Sequence, residues 1–283
     1  MVDLIKLYNG KEMTPDVAKE FISMAFEGYQ KRKKSGTLYE IGKEIPCLLI
    51  YTYYSYIETP SFSEIYDQFK RRYILNENKL EEVHNKKERE GLGLVYDFLS
   101  DFGENDWINI YLILKIHQIL YSRVDYPEFG GAFRTENCFI SSSDVPTTPY
   151  DMIAPEIAAL YPEFEELVKR TEKIKTNKNA VELIKYIDDV VKLKCKLIKI
   201  HPFKDGNGRT FRALVNLMFK QVNLPPVYVQ KKEKEEYIKA MDTAIRLGDY
   251  SAIQGFYYYK ICDSIVELDF NKQNDNSISN KKM

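Results

Sequence analysis

The sequence lacks most of the signals from which a function is usually assigned. Its four cysteines lie far apart in 283 residues and form no CxxC pair, so we expect reduced thiols rather than a zinc site or a disulfide framework. Neither sign of charge dominates, with 41 basic and 42 acidic side chains, so no global field favours nucleic acid as a partner. No apolar run reaches the length of a signal peptide or a membrane span, which predicts a cytoplasmic protein without membrane contact.

The apolar residues follow a helical period along most of the chain. They recur at intervals of three and four, which is typical of helices and not of strands. Two of the clearest runs are Val17, Phe21, Met24 and Ala25, and Ile184, Ile187, Val190 and Val191. The exception is the segment 129–149, where two glycines, a β-capable stretch and two prolines predict an exposed hairpin or flap. We therefore expect a mainly α protein with one short β-hairpin.

Composition gives a coarse division of the chain. Glycine and asparagine residues suggest a loose boundary near residue 105, which separates an N-terminal helical region (1–105) from a core (106–270). No Pro/Ser-rich linker lies between them, so we expect the two parts to pack together. The last residues, 271–283, are polar and almost without apolar side chains, which predicts a disordered tail.

The segment from His201 to Arg212, HPFKDGNGRTFR, carries the densest chemical information. It lies between two apolar-periodic stretches, about 181–200 and 210–221, which both predict helices. Pro202 cannot continue the first helix, so the segment is expected to form a helix–loop–helix connection. Each of its residue types has a common structural explanation as a turn or a cap, but their combination within twelve residues favours a functional site.

The residue types of this segment suit an anion site. Two glycines, Gly206 and Gly208, allow the backbone N–H groups to turn inward at the start of a helix. Arg209 and Arg212 follow three residues apart on one helical face, where each guanidinium can fork onto phosphate oxygens. Asp205 adds a hard oxygen ligand of the kind that Mg²⁺ uses when it also binds phosphates. These residues together predict a magnesium-dependent polyphosphate site.

A histidine completes the predicted chemistry. His201 is the side chain best matched to taking a proton from a hydroxyl group near neutral pH. With a base, a metal ligand and a phosphate clamp together, the inferred reaction is attack of a hydroxyl on phosphorus, although these parts do not say which phosphorus is attacked. The sequence contains no P-loop, and its Gly-rich stretch follows a helix and lacks the third glycine of a Rossmann fingerprint. The other histidines, His84 and His117, lie in helical stretches and are expected to have core or surface roles.

The segment resembles the signature of the Fic family, HPFx(D/E)GNGRxxR, at every specified position. The similarity extends to residues 131–135 and 137–140, which resemble the family's approach to the flap, and to residues 224–226 and 236–244, which resemble the segment that lines the base pocket. The family position that can carry an asparagine beside this pocket is Ile245 here. The resemblance implies a Fic-type helical bundle with a hairpin flap, and a catalytic core over residues 106–270.

The resemblance also implies an activity and a set of roles. Members with an intact GNGR segment generally transfer AMP from ATP to a hydroxyl of a target protein, so AMP transfer is favoured over kinase-like or phosphocholine-transferring chemistry. The implied roles are as follows: His201 as the base, Asp205 as the Mg²⁺ ligand, Gly206, Asn207, Gly208, Arg209 and Arg212 around the phosphates, Tyr237 at adenine or ribose, and Cys138, Phe139, Ile140 and Ser141 in the flap that covers ATP and docks the target. A homodimer is compatible with the family, and so is a non-catalytic module that only binds a nucleotide.

Many members carry an inhibitory helix with the pattern (S/T)xxxE(G/N), whose glutamate pairs with the second arginine of the signature. The segment 54–59 resembles this pattern with Glu58 in register, but Tyr54 and Thr59 depart from it. We therefore predict an inhibitory ion pair between Glu58 and Arg212. In some relatives the same glutamate supports removal of AMP from the target, so an enzyme that works in both directions is an alternative.

Overall fold

The computed structural model describes residues 7–8, 11–34, 43–57, 62–103, 106–140 and 145–268. These residues are mainly helical, which confirms the fold class predicted from the sequence. The expected tail at 271–283 lies outside the described residues. Within the described part of the chain, no helix is both long enough and apolar enough to cross a bilayer.

The helices follow one another along the chain, and a long segment that includes the flap separates α5 from α6. Their bounds are α1 Pro15–Lys34, α2 Glu44–Tyr56, α3 Phe62–Leu80, α4 Lys86–Asp101, α5 Leu112–Leu120, α6 Ile153–Ala159, α7 Tyr161–Asn177, α8 Ala180–Ile200, α9 Asn207–Lys220, α10 Lys234–Leu247 and α11 Ser251–Glu267. Single 3₁₀ turns occur at Pro127–Phe129, Tyr150–Met152 and Lys231–Glu233. Two short strands, β1 Leu7–Tyr8 and β2 Lys11–Glu12, pair in an antiparallel manner near the N-terminus.

Helix α9 occupies the centre of the molecule. Every residue of α9 except Gly208 is buried, including the apolar face of Leu214, Val215, Leu217 and Met218 that the sequence predicted. The helix contacts α4, α5 and α8. Because each fully buried large apolar side chain contributes about 1.5–3 kcal/mol, this packing fixes α9 firmly, and it carries the second half of the signature on its first turns.

Helices α3 and α4 pack against each other and form a unit that we call the α3–α4 hairpin (62–101). The side chain of Asn85 accepts hydrogen bonds from the backbone N–H groups of Lys87 and Glu88 at 2.8 and 3.4 Å, which caps the start of α4. Gly91 allows α4 to approach α5 closely, because a Cβ atom there would lie 1.9 Å from the carbonyl oxygen of Leu120. The hairpin is thereby held beside α5 and α9.

The structure corrects one detail of the sequence prediction. Helix α9 begins at Asn207 rather than near residue 210, because Gly206 in a left-handed conformation (φ 76°) serves as its N-cap. In α1 the fully buried stripe is Ala18, Ile22, Phe26 and Tyr29, whereas the neighbouring Val17, Phe21 and Ala25 are partly buried and Met24 is 55% exposed. Both neighbouring stripes of α1 are apolar, so periodicity alone does not choose between them.

Candidate active site

The connection between α8 and α9 brings the signature residues to adjoining helix ends. Pro202 follows directly after His201, the C-cap of α8, whose φ of 51° lies in the left-handed region. This conformation costs a residue with a side chain roughly 1–2 kcal/mol, whereas Gly206 adopts it without that cost. A strained backbone is often retained at functional sites, where surrounding contacts hold it in place.

Two side chains brace the signature loop. Asn207 is buried, and its amide oxygen accepts a hydrogen bond from Phe203 N at 3.0 Å while its amide nitrogen donates to Phe203 O at 2.8 Å. Arg134 is also buried and donates from Nε to the carbonyl oxygen of His201 at 2.8 Å. The guanidinium of Arg134 further donates to the carbonyl of Thr148 and to the Thr147 hydroxyl, which ties α8 to the base of the flap. The Asn207 side chain is therefore committed to the loop itself.

His201 is placed as a neutral acceptor. Burial lowers the pKa of its imidazole, and the charge of Arg134 acts in the same direction, so the ring is uncharged near neutral pH. Its Nδ1 atom is buried and finds no hydrogen-bond partner among the described residues. A neutral imidazole can accept a proton, which is the property that the sequence prediction required of this residue.

His201 faces a cavity of about 340 Å³ together with other predicted site residues. The lining includes Gly208 and Arg212 from α9, Ile140 from the flap and Tyr237 from α10. A volume of this size lies within the range of small-molecule sites. A larger groove of about 740 Å³ lies at the outer side of α3 and the start of α4, but none of the predicted site residues lines it. The cavity beside His201 is therefore the candidate for a nucleotide.

Two glutamates of the α3–α4 hairpin region hold Arg212. Its Nε lies 2.6 Å from Glu77 Oε2, and its second guanidinium nitrogen lies 2.5 Å from Glu81 Oε1. Burial raises the pKa of Glu77, although the charge of Arg212 opposes this. Burial also acts to raise the pKa of Glu81, but there the charge and hydrogen bond of Arg212 outweigh it, and the pKa is lowered. One guanidinium thus pairs with two carboxylates.

Arg209 is engaged in a similar way. Its guanidinium lies 3.0 Å from Glu88 Oε2 in the first turn of α4, and it donates to the hydroxyl oxygen of Tyr121 at 3.0 Å. Asp205 Oδ2 is 3.6 Å from the same guanidinium. Burial raises the pKa of Tyr121, so its hydroxyl stays protonated and only its oxygen lone pairs accept from Arg209. Both arginines of the signature therefore have carboxylate partners that come from outside the signature.

Glu81 also covers the start of α9. A Cβ atom at Gly208 would lie 2.6 Å from Glu81 Oε1, so the carboxylate rests directly over this glycine. The first turn of a helix is where unpaired N–H groups and the helix dipole favour an anion. The Glu81 carboxylate thus lies beside the first turn of α9, next to the residues that are predicted to hold the phosphates.

Helix α10 forms the end of the cavity at which the sequence predicts the adenine base to lie. Tyr237 is buried, and its hydroxyl oxygen accepts a hydrogen bond from the ammonium group of Lys194. Lys194 is itself buried and lies 4.4 Å from the centroid of the Tyr237 ring. Ile245, which stands at the family's asparagine position, lines the same cavity, as do Ile238 and Met241. The walls are mostly apolar, which suits the flat face of a base.

The flap is partly described. Phe139 and Pro146 form an antiparallel bridge, and the hydroxyl of Thr147 donates to the carbonyl oxygen of Cys138 at 2.6 Å. Phe139 is 68% exposed, whereas Ile140 lines the cavity. Ser141 lies outside the described residues. The described part agrees with the hairpin expected from the sequence, with one residue turned to the cavity and the preceding one turned to solvent.

Among the described residues, no group of three or more His, Cys, Asp or Glu side chains could hold a metal ion by itself. The predicted ligand Asp205 is a single carboxylate with a side chain 68% exposed, and its Oδ1 accepts a hydrogen bond from Gly206 N at 2.7 Å. One carboxylate fits Mg²⁺ bound mainly through phosphates and water. It does not fit a metal that needs a full set of protein ligands.

Sequence reasoning did not single out Glu77, Glu81 or Glu88. One signal was available, because Glu77-Asn78 matches the last two positions of the inhibitory pattern, with Tyr73 at the Ser/Thr position. Glu58 lies outside the described residues, so its pair with Arg212 stays a prediction.

Comparisons with known proteins agree with the signature. The Fic/DOC family profile matches residues 107–219. The chain is 32% identical over 141 residues to "Protein adenylyltransferase Fic" of Aedes aegypti and 30% identical over 141 residues to the protein of the same name in Culex quinquefasciatus. Each match covers 50% of this chain and 25% of the relative, so the chain spans about a quarter of the length of these proteins.

Solved structures share the fold. Fic-1 from C. elegans superposes with a TM-score of 0.55 at 19% identity, over 90% of this chain and 78% of that one. A Fic domain containing signaling protein from Bacteroides thetaiotaomicron gives a TM-score of 0.55 at 14% identity, over 77% and 92% of the two chains. The residues that match the Fic/DOC profile, 107–219, contain the complete signature at the junction of α8 and α9.

Proposed function

We propose that this chain is a protein adenylyltransferase that transfers AMP from ATP to a Ser, Thr or Tyr hydroxyl of a target protein. The observation that carries the proposal is that His201, Gly208 and Arg212 of the signature and Tyr237 of α10 line one cavity of about 340 Å³. The names of the similar insect proteins support the same activity.

The proposed reaction uses each part of the cavity. The base of ATP would lie against Tyr237, and the phosphates would bind at the start of α9 and to Arg212. The neutral imidazole of His201 would take the proton of the target hydroxyl as its oxygen forms a bond to the α-phosphorus, while the bond from that phosphorus to the bridging oxygen breaks and pyrophosphate leaves. Mg²⁺ held by Asp205 would supply positive charge to the phosphate oxygens. The target would be positioned by pairing its backbone with the flap near the exposed Phe139.

We further propose that the described arrangement is autoinhibited. ATP cannot use Arg212 fully while Glu77 and Glu81 hold its guanidinium, and Glu81 also covers Gly208. Glu77 stands at the glutamate position of the inhibitory pattern and lies N-terminal to the Fic domain, as was predicted for Glu58, but nineteen positions later. We therefore propose that Glu77 in α3 has the inhibitory role that the sequence predicted for Glu58.

The activity is tested by incubating the full chain with ATP labelled at the α-phosphate, Mg²⁺ and a protein lysate. Labelled bands are expected with wild type and are expected to be absent with His201→Ala. Mass spectrometry of the labelled protein should show the mass of AMP on a Ser, Thr or Tyr side chain. Kinase chemistry would transfer the γ-phosphate, so the target would gain the mass of one phosphate and carry no label. Binding of ATP without any adduct would reject the enzymatic proposal in favour of a nucleotide-binding module.

Removal of AMP is a second candidate activity, favoured by the position of Glu81. Its side chain is 35% exposed and its carboxylate lies over Gly208, where it could align a water against a phosphate diester. A target that already carries AMP should be incubated with Mg²⁺ and no ATP. Release of AMP by wild type and its loss in Glu81→Gln would establish this direction, whereas stable retention of the label would exclude it.

A further inference from the structure

His117 is a fully buried side chain of α5 that touches the signature loop from outside. Its Nε2 atom lies 2.9 Å from the carbonyl oxygen of Asp205, 88 residues away in sequence. Its Nδ1 atom lies 2.8 Å from the backbone nitrogen of Gly131, at the approach to the flap. One imidazole ring thus connects the proposed metal ligand to the segment that leads to the flap.

The two contacts determine which ring nitrogen carries the proton. The N–H of Gly131 can only donate, so Nδ1 must be the unprotonated acceptor. The carbonyl oxygen of Asp205 can only accept, so Nε2 must carry the hydrogen. The ring of His117 is therefore a neutral imidazole in a single tautomer, with both nitrogens satisfied.

The bond to Asp205 fixes more than one carbonyl group. In a trans peptide the carbonyl of one residue and the N–H of the next point in opposite directions. Holding the Asp205 carbonyl towards His117 therefore directs the Gly206 N–H to the other side, where it donates to Asp205 Oδ1 at 2.7 Å. The orientation of the carboxylate thus depends on the peptide plane that His117 holds.

The surroundings leave this ring little freedom. It stacks on the ring of Phe203 with centroids 3.9 Å apart and an interplanar angle of 8°. A Cβ atom at Gly206 would lie 3.2 Å from Nε2 and 2.8 Å from the Tyr121 ring, so only glycine fits without a shift. The imidazole is clamped between the loop and the aromatic side chains around it.

We propose that His117 is a positioning residue that fixes the Asp205–Gly206 peptide, and with it the Asp205 carboxylate, in the orientation that magnesium nucleotide binding requires. The inference rests on the role of Asp205 in the proposed function. It does not make His117 a catalytic group, because both ring nitrogens of His117 bond to backbone groups and the ring face packs against Phe203.

The test uses two substitutions in the full chain that each retain one of the two contacts. His117→Asn places a side-chain oxygen near Nδ1 and loses the bond to Asp205, whereas His117→Gln places an amide N–H near Nε2 and loses the bond to Gly131. His84→Asn, at an exposed histidine, is the control. The measured quantity is the Mg²⁺ concentration that half-saturates binding of a fluorescent mant-ATP probe, together with the melting temperature without Mg²⁺.

His117→Asn is expected to raise the Mg²⁺ requirement by about fivefold, the effect of one net hydrogen bond, while His117→Gln stays within about twofold of wild type. A purely structural role would lower both melting temperatures and leave the Mg²⁺ requirement equal in the two variants, which overturns the inference. Binding of mant-ATP by wild type that does not depend on Mg²⁺ also overturns it. Failure of AMP transfer with these binding results intact would reject only the proposed activity.

A measurement on wild type covers the case in which His117→Asn does not fold. Nitrogen NMR of histidine-labelled protein is expected to show one neutral ring with the hydrogen on Nε2 and with both signals changing when magnesium and ATP are added. A charged ring, the other tautomer, or nitrogen signals that do not change when magnesium and ATP are added would each contradict the proposal.

Discussion

Releasing Arg212 from its carboxylates should activate the enzyme, and Glu77→Gln is the sharpest perturbation. Glu77 is fully buried and lies 2.6 Å from the guanidinium, while Glu81 is 35% exposed. A hydrogen bond between buried charged groups contributes about 1.5–3 kcal/mol, which corresponds to roughly a ten- to hundredfold change in how often Arg212 is free. Solvent screens the pair of Glu81 with Arg212 more strongly, so this pair contributes about 1 kcal/mol, which corresponds to about a fivefold change in how often Arg212 is free.

The assay is automodification or target labelling with ATP labelled at the α-phosphate. Glu77→Gln should raise the initial rate more than Glu81→Gln, and the double variant should exceed both without reaching the product of the two effects, because the carboxylates share one guanidinium. Glu90→Gln is the matched control, since Glu90 lies on the surface of α4 with Lys86 3.9 Å away. Glutamine keeps an acceptor in place, so the fold should survive.

Several outcomes would refute this reasoning. Rates of Glu77→Gln and Glu81→Gln equal to that of Glu90→Gln would show that the observed ion pairs do not restrain the reaction. A higher labelling rate in Glu58→Gly with an unchanged rate in Glu77→Gln would show that Glu58 is the inhibitory residue, as predicted from the sequence. A lower rate together with a large drop in melting temperature would show that Glu77 serves the fold, because breaking a buried pair on one side can cost about 3–5 kcal/mol.

Three further predictions follow from the packing of the site. Gly91→Ala should lower the free energy of unfolding in urea by about 1–3 kcal/mol, because its Cβ would lie 1.9 Å from Leu120 O; an unchanged midpoint would contradict the close approach. Arg134→Lys should lower it by roughly 1–3 kcal/mol, because lysine cannot reach all the carbonyls that the guanidinium now bonds, and a matching loss of labelling should accompany it. Iodoacetamide should modify Cys138 in the flap before Cys195, which is buried and has its pKa raised to about 11 by burial; ATP should slow the reaction at Cys138, and mass spectrometry would detect the reverse order.

The parts of this site that are local in sequence could be predicted from it. The signature from His201 to Arg212 is contiguous, so its helix–loop–helix form follows from Pro202, Gly206 and Gly208 alone, and the same glycines carry the prediction of an anion site. The helices around it follow from the period of their apolar residues. What periodicity leaves open is which of two neighbouring apolar stripes is buried, as α1 illustrates.

The parts that depend on contacts across the chain could not be predicted. Glu77 meets Arg212 across 135 positions, and a short pattern with two degenerate matches cannot say which helix lies over α9. His117 was predicted to have a core or surface role and is buried, but its bond to Asp205 exists only once α5 has packed beside the loop. The contacts of Arg134 could not be predicted for the same reason, since its partners include Thr147 and the carbonyl groups of Ile200 and His201, in two distant segments.

The charges around the signature support the proposal that the inhibitory carboxylates come from outside residues 107–219. Arg209 and Arg212 face Glu77, Glu81, Glu88 and Asp205, which gives two positive against four negative groups and a net charge of −2 when all are ionised. A triphosphate would be repelled by such a site. Three of the four carboxylates come from residues 77–88, before the matched domain begins at residue 107. Moving this one segment away would leave two arginines and one carboxylate, so the net charge of the site would change from negative to positive.

The other end of α9 determines how that movement can occur. Lys220 is buried and donates to the carbonyl oxygens of Leu99, Ser100 and Phe102 at 2.7–2.8 Å, where α4 ends. These neutral carbonyls are not displaced by phosphate, whereas the carboxylates at the start of α4 and the end of α3 compete with it directly. The α3–α4 hairpin is thus bound to α9 at two ends. The contacts of Lys220 do not compete with a nucleotide, whereas a nucleotide must replace the contacts of the carboxylates with Arg209 and Arg212. We therefore expect activation to swing the end near Glu88 outward while the end near Lys220 stays in place, so that both arginines are released together.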